Sequence, residues 1–382
     1  MGKHILILGA GFGGLTAAHE LRKRLGVEHR VTVVDKQPLF FMGLTKLWVL
    51  DGRRSVGDRP GNRSLLAQKG IDFLEGEVAG ISVEDKFVQV GRQKLAYDYL
   101  IIALGADYSM SAPPGLVKHA KNLYLESGCA EIRDELRSID SGNITILVCG
   151  LPFKCPPAPY EAAFLIDDLL RTRGVRGRVA MRMVTPEPHP LPILGVEAGK
   201  IVTKLLTERE IDYHPSERVK EIRPGIMLTE SGKQFSQTLL LAVPAHVAPA
   251  VVKSAGLVDQ SGWIPVNPKT LATEHPDVYA IGDCAGPRTV KGQLLPRAGI
   301  LAEEQGKIVA ANLTREIGGD ARREEFQGRG VCFMEVGGGR AAPVKANFYA
   351  EPTPTWEVTH PNAEGFREKQ QFVEDRMKAW FN

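Results

Sequence analysis

The sequence has few cysteines, no long apolar run and almost no net charge. Its five cysteines are an odd number without a CxxC pair, so neither a disulfide framework nor a zinc site is predicted. The longest apolar stretch, residues 239–252, contains Pro244, His246 and Pro249 and falls short of the ~20 residues that span a bilayer. A formal charge of +3, from 48 basic and 45 acidic residues, gives no ground for nucleic-acid binding.

The first residues also lack the pattern of an export signal. Only residues 5–8 are apolar before the first glycine motif, and the following predicted helix carries Glu20, Arg22 and Lys23. We therefore expect a protein that is cytoplasmic or peripheral to a membrane, with neither an export signal nor a transmembrane helix.

Glycine is the residue that the sequence has in abundance, with 40 in 382 positions. The glycines form no collagen-like or linker repeat. They cluster beside apolar runs, where a backbone without side chains can approach a ligand closely. With 43% hydrophobic and 24% charged residues the composition is that of a globular protein, and the length corresponds to roughly two or three domains.

The N-terminal 35 residues have the pattern of a dinucleotide-binding βαβ unit. Its parts are an apolar strand at 4–8, the glycines Gly9, Gly11 and Gly14, a helix at 15–25, and a strand at 31–34 ended by Asp35. In this spacing the first glycine makes the tight turn, the second admits the pyrophosphate, and the third lets the helix pack on the strand. The acid at position 35 can accept the ribose hydroxyls, so the unit predicts a dinucleotide site.

Two later apolar strands are each followed by a glycine. Residues 97–106 contain Gly105, and residues 277–285 contain Gly282 and Asp283. The first segment resembles the DYLIIATG motif of flavoprotein reductases with two dinucleotide folds, and the second resembles their YAIGD motif. The resemblance implies that the dinucleotide is FAD and that Asp283 hydrogen-bonds its ribityl chain. A turn with a helix cap is the alternative for the second segment.

Residues 295–306 resemble the helix whose N-terminus points at the pyrimidine end of the flavin in the same family. The resemblance implies that the backbone amides of Gly299 and Ile300 lie at this end of the cofactor. A helix dipole there stabilises negative charge on the reduced ring.

The middle of the chain repeats the βαβ plan, as the NAD(P)H domain of these reductases does. Its first turn, residues 150–157, lacks the glycine motif and contains three prolines, which remove amide donors. We therefore expect no nicotinamide nucleotide there. The predicted fold is α/β, with two Rossmann-like dinucleotide-binding domains: a FAD-binding domain from residues 1–113 and 236–313, an inserted second domain at 114–235, and a C-terminal segment at 314–382.

The segment from Lys154 to Glu161 reads KCPPAPYE. It closely resembles a segment of the sulfide:quinone oxidoreductases and of the flavoprotein subunit of flavocytochrome c sulfide dehydrogenases. The resemblance implies a reactive pair of Cys155 and Cys332 near the flavin, a third cysteine at Cys129, and a proton-carrying role for Glu161. Ordinary burial is the alternative for Cys129, and favourable charge at a helix start is the alternative for Glu161.

The function implied is oxidation of sulfide to sulfur or polysulfide through the cysteine pair, with electrons passed through FAD to quinone. Sulfide is a nucleophile that can attack a disulfide. Residues 38–43 contain no cysteine that could tether FAD as in the flavocytochromes, which favours the quinone-reducing relatives. A type II NADH:quinone oxidoreductase, a flavocytochrome c-type sulfide dehydrogenase flavoprotein and a non-catalytic FAD-binding redox sensor stay open as alternatives.

The C-terminal residues have the spacing of an amphipathic helix with an aromatic end. The apolar series is Phe366, Gln370, Val373, Met377 and Trp380 or Phe381, and the basic residues are Arg367, Lys369, Arg376 and Lys378. Such a helix can lie on a membrane surface, on the body of the protein or on a second subunit of a homo-oligomer. Phe40, Phe41 and Phe333 are candidate walls of a quinone pocket, with ordinary core packing as an equal alternative.

Overall fold

The computed structural model describes residues 2–58 and 60–382. The α-helices, in chain order, are α1 (Phe12–Arg24), α2 (Leu47–Leu50), α3 (Leu116–His119), α4 (Glu126–Ser138), α5 (Ala158–Thr172), α6 (Val196–Glu208), α7 (Ala250–Ser254), α8 (Gly299–Ile317) and α9 (Ala363–Phe381). Short 3-10 helices lie at Gly43–Thr45, Arg63–Lys69, Arg176–Arg178, Pro192–Leu194 and Gly282–Cys284.

The strands, in chain order, are β1 (His4–Leu8), β2 (Arg30–Asp35), β3 (Leu39–Phe40), β4 (Gly61–Asn62), β5 (Asp72–Glu75), β6 (Val78–Ser82), β7 (Phe87–Val90), β8 (Gln93–Ala96), β9 (Tyr99–Ile102), β10 (Asp107–Tyr108), β11 (Lys121–Asn122), β12 (Gly142–Val148), β13 (Val179–Val184), β14 (Ile211–His214), β15 (Val219–Arg223), β16 (Ile226–Thr229), β17 (Gln234–Ser236), β18 (Leu239–Val243), β19 (His246–Val247), β20 (Val278–Ala280), β21 (Arg329–Gly337), β22 (Arg340–Asn347) and β23 (Thr355–Val358).

Two five-stranded parallel sheets form the frame of the molecule. The first has the order β20-β9-β1-β2-β5, and the second has the order β11-β18-β12-β13-β14. Because both faces of a parallel sheet are covered, strands such as β1 and β9 are almost wholly apolar and buried. The predicted pair of Rossmann-like units is confirmed, and the predicted domain boundaries stay a prediction.

Helix α1 begins three residues before the predicted start, and its glycines explain why. Gly13 and Gly14 lie inside the helix, although glycine is a poor helix former. A Cβ at Gly14 would lie 1.9 Å from the carbonyl oxygen of Gly9, and one at Gly13 would lie 3.1 Å from that of Ala302. The close packing of α1 on β1 and on α8 therefore explains why these two positions are glycine, in spite of the low helix propensity of that residue.

The C-terminal residues form an antiparallel sheet, β21-β22-β23, followed by α9. Trp380 and Phe381 are each 4% exposed, and the Trp380 ring meets those of Phe12 and Phe40 edge-on at 5.2 and 5.5 Å. The aromatic end of α9 therefore packs on the body of the protein. A membrane contact through α9 stays a prediction, and these two rings are not free to make it.

The predicted face of α9 also needs a correction. Gln370, placed in the apolar series, is exposed, whereas Lys369, placed among the basic residues, has no exposed surface. The buried stripe runs instead through Lys369, Phe372 and Val373. Within residues 2–58 and 60–382, no helix combines the length and apolar character needed to cross a bilayer.

The contact between α1 and α8 has no space for a side chain at Gly306. A Cβ there would lie 2.6 Å from the carbonyl oxygen of Gly13 and 3.1 Å from the amide nitrogen of Ala17. We expect Gly306→Ala to lower the free energy of unfolding by about 1–3 kcal/mol, because the two helices must move apart. Urea denaturation measures this change.

Gly177→Ala is the matched control. Nothing lies within 4 Å of a Cβ at Gly177. Its stability should stay within about 0.5 kcal/mol of the parent protein. A Gly306→Ala protein as stable as the Gly177→Ala protein would contradict the packing argument.

Candidate active site

A cavity of about 370 Å³ lies at the carboxyl ends of the first parallel sheet. Residues that follow β1, β2, β9 and β20 form one wall, which is where doubly wound sheets bind ligands. The start of α8, the start of α5 and strand β21 contribute the other wall. The predicted site residues that line the cavity are Gly9, Gly11, Asp35, Phe40, Phe41, Gly105, Cys155, Glu161, Gly282, Asp283, Gly299, Ile300, Cys332 and Phe333.

One end of the cavity has the features that a pyrophosphate requires. Gly11 is the residue before α1, and nothing lies within 4 Å of the position that its Cβ would take. The first amides of α1 have no partner within the helix, so they can donate to a phosphate. Gly9 has a φ of +99°, and its Cβ would lie 2.3 Å from the carbonyl oxygen of Ala103.

Asp35 is held in place at the end of β2. Its Oδ2 accepts a hydrogen bond from the amide of Ala10 at 2.8 Å, and its Oδ1 accepts one from the amide of Gln37 at 3.0 Å. The carboxylate is thus fixed on the cavity wall beside the glycine turn, where a ribose would lie. The turn, the helix start and this acid together fit a dinucleotide.

The other end of the cavity meets the start of α8. Gly299 opens the helix without a side-chain cap, and a Cβ there would lie 2.9 Å from the Phe12 ring. Asp283 lines the cavity next to this helix start, and its backbone oxygen accepts a hydrogen bond from Arg297 at 3.1 Å. The residues present therefore fit FAD from pyrophosphate to ring, and FAD would supply a two-electron acceptor at this end.

Cys155 and Cys332 come together on the cavity wall. Their side chains are in hydrogen-bonding contact, although 177 residues separate them in the sequence. Cys155 adopts a φ of +51°, which is strained for a residue with a side chain, and its amide donates to the carbonyl of Arg297 at 2.7 Å. Cys155 lies in the turn between β12 and α5, and this backbone conformation directs its Sγ toward β21.

A buried cluster of charges lies behind this pair. Lys369 has no exposed surface, and its Nζ lies 2.8 Å from Oε1 of Glu161 and 2.7 Å from Oε1 of Glu335. Glu335 also accepts hydrogen bonds from Trp48 and from Arg53, both at 2.6 Å. The cluster joins α9, α5 and β21, so the C-terminal helix contributes charge to the candidate site.

The two thiols are electrostatically unequal. The hydrogen bond between them raises the pKa of Cys155 and lowers that of Cys332. Burial and the charge of Glu161 oppose the lowering at Cys332, and the Lys369 ammonium acts in the same direction as the hydrogen bond. Burial, opposed by Lys369, raises the pKa of the Glu161 carboxyl.

Cys129, predicted as a third reactive cysteine, does not reach the pair. It lies on α4 without exposed surface, and its Sγ donates to the carbonyl of Leu123 at 3.2 Å. Burial raises the pKa of this thiol to about 11, so it stays protonated. The placement supports the alternative of ordinary burial. Gly14 also lies off the cavity, at the contact of α1 with β1.

Tyr124, close to Cys129 in the chain, lines the cavity instead. Its hydroxyl donates to the carbonyls of Lys154 and Cys155 at 2.8 and 3.3 Å. Lys46 and Lys154 line the same wall. Sequence reasoning missed Tyr124 and Lys46 because nothing in the sequence places residues 46 and 124 beside Cys155.

Aromatic rings line the cavity both beside Cys332 and near Asp35. Phe333 follows Cys332 on β21, and its ring lies 5.8 Å from that of Phe372 on α9. Phe40 and Phe41 line the cavity as well, and Phe40 touches the Trp380 and Phe381 rings. The three predicted quinone-pocket residues thus lie on one cavity, together with Phe372.

The second parallel sheet lacks a comparable nucleotide site. The turn after β12 contains Pro152, Pro156 and Pro157, and α5 begins without a side-chain cap. Glu187, which follows β13, is 2% exposed and accepts a hydrogen bond from the Tyr160 hydroxyl at 2.8 Å. Burial raises the pKa of Glu187 to about 7. The acid that could accept a ribose is therefore enclosed.

Comparison with known proteins finds relatives that match most of the chain. The chain is 25% identical over 371 residues to the mitochondrial sulfide:quinone oxidoreductase of Mus musculus, which covers 92% of this chain and 80% of that protein. It is 24% identical over 358 residues to a type II NADH:quinone oxidoreductase of Staphylococcus aureus, covering 87% of each. The sulfide:quinone oxidoreductase structure from Aquifex aeolicus matches with a TM-score of 0.89 at 21% identity, covering 100% of this chain and 92% of that one.

These matches confirm the resemblance to the sulfide:quinone oxidoreductases. A model of the pyridine nucleotide-disulphide oxidoreductase family matches residues 3–151 and 160–306, which is most of the chain. The family consists of flavoproteins, and the cavity fits FAD, so the predicted cofactor is confirmed. The chain therefore belongs to the pyridine nucleotide-disulphide oxidoreductase family and is a FAD-dependent oxidoreductase.

Proposed function

We propose that the protein oxidises sulfide at Cys155 and Cys332 and passes the electrons through FAD to quinone. The observation that carries this proposal is the contact between the two cysteines on the wall of the cofactor cavity. A cysteine pair beside a two-electron acceptor can cycle between dithiol and disulfide. The sulfide:quinone oxidoreductases among the relatives make sulfide the electron donor to test first.

The chemistry begins from the oxidised pair. The hydrosulfide sulfur attacks one cysteine sulfur, a new S–S bond forms, and the disulfide bond breaks with its electron pair on the other cysteine. A second hydrosulfide removes the added sulfur as a disulfide anion and leaves two reduced cysteines. Bound FAD supplies the acceptor for the two electrons that restore the disulfide.

Charge at the pair supports this exchange. The lowered pKa of Cys332 favours the thiolate, which is the form that thiol–disulfide exchange uses as nucleophile and leaving group, and Lys369 acts in the same direction. Glu161 lines the cavity and has a raised pKa, so it can take a proton from a thiol and release it again. This assigns Glu161 the proton-carrying role and Lys369 a positioning role.

The aromatic side of the cavity suits a quinone. Phe40, Phe41 and Phe333 present apolar rings, and Phe372 extends the wall from α9. A planar quinone head can stack on such rings, which prefer offset or edge-to-face contacts. A quinone bound there would share the cavity with the ring end of FAD.

NADH oxidation is the second candidate, because type II NADH:quinone oxidoreductases are also among the relatives. The proline-rich turn after β12 and the enclosed Glu187 speak against it. We expect sulfide to bleach the flavin faster than NADH does in anaerobic mixing. An equal rate with NADH would favour the dehydrogenase, and a flavin unchanged by both donors would favour a redox sensor without turnover.

Replacing either member of the pair should stop the reaction. We expect Cys155→Ser and Cys332→Ser each to lower the rate of sulfide-dependent flavin bleaching by ~100-fold or more, because serine cannot form the disulfide. Anaerobic stopped-flow absorbance of the FAD-loaded protein measures this rate.

Cys129→Ala is the control, since this thiol lies off the cavity. It should keep a rate within about threefold of the parent protein, as expected for a site outside the chemistry. Full sulfide activity in Cys155→Ser would refute the cysteine mechanism. A loss in Cys129→Ala equal to that in Cys155→Ser would restore the three-cysteine interpretation.

The charge of Lys369 should affect the pH at which the Cys332 thiol ionises. In the reduced protein, Lys369→Met removes a cation that lowers the pKa of Cys332, so the pH profile of Cys332 alkylation should move to higher pH. Below the new pKa less thiolate is present, so alkylation slows there. Iodoacetamide labelling followed by peptide mass spectrometry gives the profile.

Lys378→Met removes an exposed lysine from the same helix and is the matched control. Its profile should coincide with that of the parent protein. Coincident profiles for Lys369→Met and the parent protein would show that the thiolate does not depend on Lys369.

A further inference from the structure

Two lysines, Lys46 and Lys154, face the cavity beside Cys155, and Asp283 on the same cavity is the carboxylate whose charge acts on both. Lys46 follows the 3-10 helix Gly43–Thr45, and Lys154 directly precedes Cys155. Both line the cavity, and within residues 2–58 and 60–382 neither ammonium has an acidic oxygen within 4.0 Å. Both side chains are half-buried. A partly desolvated ammonium without an ion pair is unfavourable, so a wall of this kind favours an anion in the space it faces.

An aromatic platform holds the two ammonium groups. Nζ of Lys46 donates to the carbonyl of Tyr124 at 3.0 Å and lies 4.3 Å from the centre of the Tyr124 ring. Nζ of Lys154 lies 5.0 Å from the centre of the Tyr108 ring. The buried His246 ring meets both tyrosines edge-on, at 4.9 Å from Tyr108 and 5.2 Å from Tyr124. Three packed rings thus fix the positions of two cations.

The platform is tied to Cys155 rather than to Cys332. The Tyr124 hydroxyl donates to the carbonyls of Lys154 and Cys155, at 2.8 and 3.3 Å. Lys46, over the same ring, therefore lies on the Cys155 side of the pair. Lys369, whose charge acts on both thiols, is paired with Glu161 and Glu335.

The electrostatic potential at the cavity wall beside Lys46 and Lys154 is positive. Burial, and then the charge of Lys154, lowers the pKa of Lys46 to about 7, against the opposing effects of Cys129, Cys155 and Asp283. Burial, and then the charge of Lys154, lowers the pKa of His246 to about 3, so this imidazole is neutral. An anion between the two lysines would offset both the burial and the repulsion that lower the pKa of Lys46.

We propose that Lys46 and Lys154 form an anion subsite that binds the hydrosulfide ion and presents it to the sulfur of Cys155. The inference rests on the function proposed above and deepens it, because it names the ionic form of the substrate and the residues that bind it. Ammonium groups bind a small anion by charge-assisted hydrogen bonds, which are about twice as strong as neutral ones.

The subsite decides which end of the disulfide is attacked. Hydrosulfide held on the Cys155 side forms its S–S bond with Cys155. The bond between Cys155 and Cys332 breaks, and its electron pair leaves on Cys332 as a thiolate. The products are a Cys155 persulfide, which keeps the hydrogen of the hydrosulfide, and a Cys332 thiolate, so atoms and charge balance. The sulfur with the lower pKa leaves faster, which agrees with this direction.

Binding can be measured apart from turnover in a Cys155→Ser background, where no disulfide forms. Anaerobic calorimetry with sodium hydrosulfide on the FAD-loaded protein gives the dissociation constant. We expect Lys46→Met to raise it by about 10-fold or more, as for loss of a hydrogen bond to a charged group. Lys46→Arg should recover most of the affinity, and Lys118→Met, an exposed lysine on α3, should leave it unchanged.

The outcomes separate this inference from the function on which it rests. An unchanged dissociation constant in Lys46→Met, or an equal loss in Lys118→Met, would overturn the subsite. So would loss of FAD from Lys46→Met with hydrosulfide affinity intact, because Lys46 would then serve the cofactor. A protein that binds hydrosulfide through Lys46 but never reduces its flavin would keep the subsite and refute the sulfide oxidation.

The position of the persulfide tests the direction of attack. The oxidised protein is mixed with one equivalent of sodium hydrosulfide, alkylated, and mapped by peptide mass spectrometry. We expect the extra sulfur on Cys155. An extra sulfur found on Cys332 would refute the presentation of hydrosulfide to Cys155.

Discussion

The ion pairs of Lys369 with Glu161 and Glu335 are the constraint on which the candidate site depends. One buried ammonium joins the C-terminal helix to α5, which follows Cys155, and to β21, which carries Cys332. Removing one partner of a buried ion pair leaves an uncompensated charge, which is strongly unfavourable. The same contact therefore joins three elements of the fold and places charge beside Cys155 and Cys332.

The two parallel sheets contribute differently to the candidate site. The first keeps the open glycine turn and the acid of a dinucleotide site, whereas the second replaces the corresponding turn with prolines and encloses its acid. The second turn instead supplies Lys154 and Cys155 to the cavity of the first sheet. The turn that corresponds to the glycine turn of the first sheet thus carries Cys155 in this chain.

Local patterns in the sequence predict much of this arrangement. The strand at His4–Leu8, the glycine turn and the start of α8 follow from short motifs whose residues also lie together in space. The sequence places Lys369 on the exposed basic face of α9, whereas the structure buries it. Helical spacing shows which residues share a face, but it does not show which face packs on the rest of the protein. The sequence makes Cys129 a plausible third member of the cysteine group. In the structure, however, Cys129 lies on the buried face of α4, and Tyr124 lines the cavity instead. Distances between segments far apart in the chain come only from the packed fold.

Trp380 and Phe381 pack on Phe12 and Phe40, two residues that line the cofactor cavity. Residues near position 380 therefore support the cavity wall that starts at the first glycine turn. During synthesis, the residues of the first βαβ unit are made long before these rings exist. Phe12 and Phe40 gain these neighbours only when α9 docks, so the rigidity of this wall depends on the C-terminal helix.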